Sequence, residues 1–148
     1  MKKDYFEDYA DNWNESQVTY DSEAEAGYLN LVKLSWDEIL DECIELDVNS
    51  DITLDFKDSK LVGLEFFGST AEAIKHWADN NHVFKKEKKN GHTYYVFKLS
   101  EGEAQSTFRL ERQNIIFLFK QDDYQKFFGI EIHDIQDYEE EYLVGHTC

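Results

Sequence analysis

Hydrophobic and polar positions along this chain state one pattern twice. Ile52-Thr53-Leu54-Asp55-Phe56-Lys57, a short turn and Lys60-Leu61-Val62-Gly63-Leu64-Glu65-Phe66 make the first unit. Ile115-Ile116-Phe117-Leu118-Phe119-Lys120, a longer turn and Lys126-Phe127-Phe128-Gly129-Ile130-Glu131-Ile132 make the second. Each is an apolar strand, a polar turn and a second apolar strand with Gly and Glu at its centre, which predicts a repeated β-hairpin. Strict alternation along the second strands puts Val62, Leu64 and Phe66 on one face, and Leu61, Gly63, Glu65 and Phe67 on the other. In the second copy Phe128, Ile130 and Ile132 oppose Phe127, Gly129 and Glu131. A glycine inside a strand marks a bend or a close approach. Its recurrence predicts a close crossing by a helix or an aromatic ring.

The remaining elements follow from the same patterning. Tyr5, Phe6, Tyr9 and Trp13 fall near helical spacing and predict a short helix over 4–13. Residues 17–20 read as a strand, 21–26 as a turn ended by Gly27, and 28–32 as a strand. Ser35-Trp36-Asp37-Glu38 has capping-box form. Trp36, Ile39, Leu40 and Cys43 recur at i, i+3, i+4 and i+7, an amphipathic helix with Cys43 a buried small hydrophobe on its apolar face. Ile44, Leu46 and Val48 then alternate with Glu45 and Asp47, a half-buried strand. A second capping box, Ser69-Thr70-Ala71-Glu72, opens a helix over 70–80 with Ile74, Trp77 and Ala78 as its stripe. Asn90-Gly91 joins strands 83–88 and 93–99 in a hairpin, since both turn residues must take positive φ. Residues 107–111 pair with 115–120, and 137–141 read as a solvated acidic segment. The fold class expected is α+β: a single domain over 1–148 of antiparallel sheets built from two related hairpin units, halves 17–69 and 82–135. The helix at 70–80 joins them, and short helices pack on one face.

The run Tyr20-Asp21-Ser22-Glu23-Ala24-Glu25-Ala26-Gly27-Tyr28 and the later Val62-Gly63-Leu64-Glu65-Phe66-Phe67-Gly68 resemble the two ends of a small bacterial domain family of unknown function. That family typically opens Tyr-Asp-Pro-Glu-Ala-Asp-Ala-x-Tyr and closes on Gly-Ile-Glu-Ile-Leu-Gly. The resemblance covers about 20–69. Ser22 stands where Pro is usual, and the predicted helix at 36–43 reads as an insertion. The resemblance implies three or four antiparallel strands and carries no activity with it. The second half keeps only its last two strands recognisably.

Charge changes the picture more than composition does. The chain has 148 residues, 32 acids and 15 bases, for a net charge of −17. Residues 1–80 hold 20 of the acids and 6 of the bases. A surface so acidic disfavours direct nucleic-acid binding, which needs Lys and Arg on phosphates. The Lys85, Lys86, Lys88 and Lys89 cluster reads as edge-strand protection. Aromatics at 16% supply a core with some left for contacts. Met1-Lys2-Lys3 runs into acidic and aromatic residues, so no signal peptide is expected, and no apolar run approaches a membrane span. A cytoplasmic location is the expectation.

Motifs for chemistry are wanting. His76, His82, His92, His133 and His146 show no metal-ligand spacing, and Cys43 and Cys148 are far apart, so neither a metal nor another cofactor is expected. Glu65 and Glu131 occupy equivalent positions and could converge as paired carboxylates, though two solvent-side glutamates is the plainer reading. No phosphate loop or nucleophile elbow is present. The chain reads as a non-enzyme with no catalytic residues. Small size, an acidic first half and spare aromatics point to a protein that binds and inhibits a basic protein partner. Its most concrete form is an immunity protein masking a toxin such as a nuclease. The residues expected to carry the contact are Asp4, Glu7, Asp8, Asp11, Trp13, Trp36, Asp37, Glu38, Asp41 and Glu42. A DNA-mimicking antagonist of a nucleic-acid-binding protein and a non-inhibitory adaptor domain are the competing readings. Monomer and dimer both remain open.

Overall fold

The computed structural model describes residues 16–33 and 40–145. The helix expected over 4–13 and the capping box at 35–38 lie outside the described residues. The first half forms β1 (Val18–Asp21), β2 (Ala26–Asn30), β3 (Glu42–Leu46), β4 (Asn49–Lys57) and β5 (Lys60–Phe66). Helix α1 (Gly68–Lys75) follows. The second half forms β6 (Lys85–Lys89), β7 (His92–Lys98), β8 (Ser106–Leu110), β9 (Ile115–Gln121) and β10 (Gln125–Ile132). A 3₁₀ turn over Ile135–Asp137 and the short helix α2 (Glu140–Leu143) complete it. The first sheet has order β1-β2-β5-β4-β3 and the second β6-β7-β10-β9-β8, all antiparallel. One order is the other with every number raised by five. Among the described residues the repeat therefore spans five strands in each half, where the resemblance implied three or four.

The two copies share an irregularity. Asp55 faces Gly63 and Phe56 faces Leu61, so Val62 is an extra residue on β5. Leu118 faces Gly129 and Phe119 faces Phe127, so Phe128 is the extra residue on β10. Each is a β-bulge immediately before the repeated glycine. A bulge resets the alternation, so residues three apart reach the same side. Leu61 joins Leu64 and Phe66 in the core, and Phe127 joins Ile130 and Ile132. This corrects the face assignment that strict alternation predicts for Leu61, Val62, Phe127 and Phe128.

The inner faces of the two sheets share one core. Phe66 stacks on Phe127 with ring centroids 5.2 Å apart. Helix α1 closes one side: Trp77, just past it, meets Phe97 edge-on at 5.0 Å. Ile74 lies so close to Gly27 that a Cβ there would collide with Ile74 Cγ2. The close helix crossing thus falls at Gly27, inside β2, and not at the repeated Gly63 and Gly129. Asn49 donates from Nδ2 to the Tyr124 carbonyl at 2.9 Å, and Gln113 from Nε2 to the Ser59 carbonyl at 3.0 Å, so turns of each sheet are tied to the other.

Other expectations also change. Helix α1 begins at Gly68 with Phe67 as its N-cap and no side-chain cap, so Ser69 makes no capping box. Cys43 is on strand β3, exposed, rather than on a buried helix face. Ile44 is 43% exposed while Leu46 is buried. The segment 137–141 is not wholly solvated: Tyr138 is buried, and its hydroxyl donates to the Leu61 carbonyl at 2.7 Å. Among the described residues no helix is long and apolar enough to cross a membrane.

Candidate functional site

Among the described residues strand β3 is the outer edge of the first sheet, and Glu42, Cys43, Ile44 and Glu45 are all exposed on it. Asp41 and Asp47 flank it, both exposed. Of the residues singled out for partner contact, the structure places Asp41 and Glu42 here. Asp4, Glu7, Asp8, Asp11, Trp13, Trp36, Asp37 and Glu38 lie outside the described residues. Asp41 is held in place: its backbone N–H donates to the Phe56 carbonyl at 2.9 Å, and its Oδ2 accepts from the Asp58 N–H at 2.5 Å. The edge therefore carries four carboxylates around one exposed apolar side chain, Ile44.

The outer face of the same sheet holds a tighter cluster, which no spacing in the sequence announces. Cys43 on β3 lies beside Asp55 on β4, and Asp55 lies beside Gly63 on β5. Glu65, two residues along β5, projects from the same face because strand side chains repeat every second residue. One ligand atom from each of Cys43, Asp55 and Glu65 falls within 4.8 Å of the other two. Asp55 is only 6% exposed, and its Oδ1 is buried with no hydrogen-bond partner among the described residues. Burial pushes the Asp55 carboxyl up to about 6; the Cys43 thiol, hydrogen-bonded to it, opposes that rise and the Glu65 carboxylate adds to it. That same hydrogen bond to Asp55, then burial, then the charges of Asp55 and Glu65 push the thiol up to about 11.

Glu131, the counterpart of Glu65, sits in a different setting on the outer face of the second sheet. His133 Nε2 lies 2.9 Å from Glu131 Oε1, and His92 Nε2 lies 3.0 Å from His133 Nδ1. Tyr94 stacks on His133 at 4.9 Å, with its ring tilted by 10°. With neutral rings, a His133 Nε2–H donated to Glu131 leaves Nδ1 to accept from His92. Glu65 and Glu131 each flank core residues, Leu64 and Phe66 in one sheet and Ile130 and Ile132 in the other. Each glutamate therefore points away from the shared interior. They do not converge, so the paired-carboxylate arrangement does not form.

The lysine cluster occupies β6, the edge of the second sheet, with every residue exposed. Lys86 Nζ lies 2.8 Å from Glu140 Oε1. A cavity of about 780 Å³ is lined in part by the bulged Val62. Lys33, Lys57 and Lys60 line it together with Asp58, Glu139 and Glu141, so its charges are mixed and it selects neither sign of ligand. No family model, curated protein or solved structure matches the chain.

Proposed function

We propose that this protein binds and inhibits a basic protein, in the manner of an immunity protein that masks a toxin such as a nuclease, and that β3 is the contact strand. The observation that carries this is the exposed edge itself, with Asp41, Glu42, Glu45 and Asp47 surrounding an Ile44 that is 43% exposed. Carboxylates steer a basic partner and raise its association rate. An open edge offers backbone N–H and C=O groups to a partner strand, and Ile44 gives that contact an apolar centre. The lysine strand β6 has its plainest role in protecting the opposite sheet's edge, which favours a protein partner over nucleic acid.

The test is capture from a nuclease-treated lysate of the host, with wild type and an Asp41→Lys/Glu42→Lys/Glu45→Lys variant side by side. Any basic protein retained is purified, and its own activity is titrated with this chain. The expected result is stoichiometric inhibition by wild type that the charge-reversed edge loses. A partner that is a DNA-binding protein displaced by duplex DNA assigns the DNA-mimic version instead. Capture that survives charge reversal, without inhibition, assigns an adaptor and overturns the proposal.

A further inference from the structure

We propose that Cys43, Asp55 and Glu65 form a binding site for a divalent transition metal of borderline softness, Zn²⁺ being the natural occupant. Three adjacent strands each supply one ligand, from atoms already within 4.8 Å of one another. A thiolate and two carboxylates are ligands that zinc accepts, with bonds of about 2.3 Å to sulfur and 2.0 Å to oxygen. Tetrahedral donors at those bond lengths stand roughly 3.3–3.6 Å apart, so small side-chain rotations close the set. Cys43 is exposed, so a fourth position faces solvent and can hold water. Gly63, directly across from Asp55, contributes no side chain, which leaves room between Asp55 and Glu65.

The second sheet serves as an internal comparison. Register places Thr107 at the position of Cys43 and Leu118 at the position of Asp55, beside Gly129. Leu118 is buried and apolar, so the fold is satisfied by leucine there. The first sheet instead buries a carboxylate and, among the described residues, leaves its Oδ1 without a hydrogen-bond partner. A buried carboxylate oxygen left without a hydrogen bond is costly. Nothing in the shared topology demands it, whereas a cation bound between Cys43 and Glu65 would satisfy it.

The experiment uses the full chain with Cys148→Ser, so that Cys43 is the lone thiol, treated with chelator and then titrated with ZnCl₂ by calorimetry and with CoCl₂ by absorbance. The expected result is one zinc per chain and a near-ultraviolet thiolate-to-cobalt charge-transfer band. Both should disappear in Cys43→Ser and in Asp55→Leu, and zinc binding should weaken at least tenfold in Glu65→Gln. Asp55→Leu copies the second sheet and should fold, which circular dichroism checks. Absence of zinc binding at a tenfold excess overturns the site. So does one-to-one binding that persists in folded Asp55→Leu, as would follow if the His92–His133 pair held the ion.

Discussion

Gly63 and Gly129 occupy the same place in the two sheets, one residue past a bulge, yet their surroundings differ. A Cβ at Gly129 would stand 2.9 Å from the Phe97 carbonyl oxygen and 3.0 Å from Leu118 Cδ1. At Gly63 the nearest atom is the Leu29 carbonyl oxygen at 3.4 Å, an ordinary contact. A backbone oxygen held in a sheet cannot step aside cheaply. Gly129→Ala should therefore destabilise by about 1–3 kcal/mol, the usual range for overpacking. Gly63→Ala should cost under about 1 kcal/mol, because no atom there needs to move far. Urea unfolding of the two variants checks this, and equal losses would refute the asymmetry.

Much of this architecture is legible in the sequence, and the misses have physical causes. The Asn90-Gly91 hairpin is readable because its two residues must take positive φ, and they do, at 54° and 80°. The bulges are not readable. Val62 and Phe128 are apolar and buried on both accounts, so nothing in the pattern says that the alternation resets there. Cys43 satisfies helical spacing with Trp36, Ile39 and Leu40, yet pairing with β4 sets its conformation. The Cys43–Asp55–Glu65 cluster is invisible to any motif search because its members lie on three strands and meet only through register. Glu42 falls on the candidate contact strand and Asp41 just before it, while Glu45 and Ile44 beside them read as parts of an ordinary half-buried strand.

Asp55 gives the chain a pH dependence whose sign can be worked out. Its carboxyl titrates near 3.8 when unfolded and near 6 when folded. Between those values the folded chain keeps a proton that the unfolded chain has lost. Stability therefore falls as pH rises through that window, and the penalty is complete above about pH 6. About two pH units correspond to roughly 3 kcal/mol at most. Urea midpoints from pH 4 to 7.5, with chelator present, should show wild type losing stability relative to Asp55→Asn by 1–3 kcal/mol, on the order of the linkage bound. Parallel profiles would show that burial of Asp55 does not set its ionisation.

Cys43 should be less reactive than its exposure suggests. The thiolate is the nucleophile, and a thiol raised to about 11 offers little of it near neutrality. Asp55→Asn removes both the acceptor carboxylate and the nearest charge, and should return the thiol toward 9.0. The thiolate fraction at pH 8 then rises up to roughly a hundredfold, partly offset because a less basic thiolate is a weaker nucleophile. Alkylation by iodoacetamide in a Cys148→Ser background should speed up about tenfold, allowing for that offset. An unchanged rate would mean that Asp55 does not hold the thiol proton.

Tyr138 fastens the end of the second sheet to the bulge of the first, and its removal should read differently at neutral and alkaline pH. Its buried hydroxyl donates to the Leu61 carbonyl at 2.7 Å, and Lys60 Nζ stands 4.7 Å from its ring centroid. Tyr138→Phe keeps the ring and orphans a carbonyl, which should cost about 1–2 kcal/mol at pH 7. Burial, with the charges of Asp137 and Asp134 adding to it, holds the phenol well above the usual tyrosine range. Above pH 10 the unfolded chain loses the Tyr138 proton while the folded chain keeps it, so wild type loses about 1.4 kcal/mol of stability per pH unit that the variant does not lose. The deficit of Tyr138→Phe should therefore shrink and close between pH 10 and 11.5, roughly where one unit of linkage matches one lost hydrogen bond. Denaturant midpoints at pH 7, 10 and 11 measure both limbs. A deficit that stays constant through pH 11 would show that the phenol ionises in place and that its hydroxyl is not sealed against Leu61.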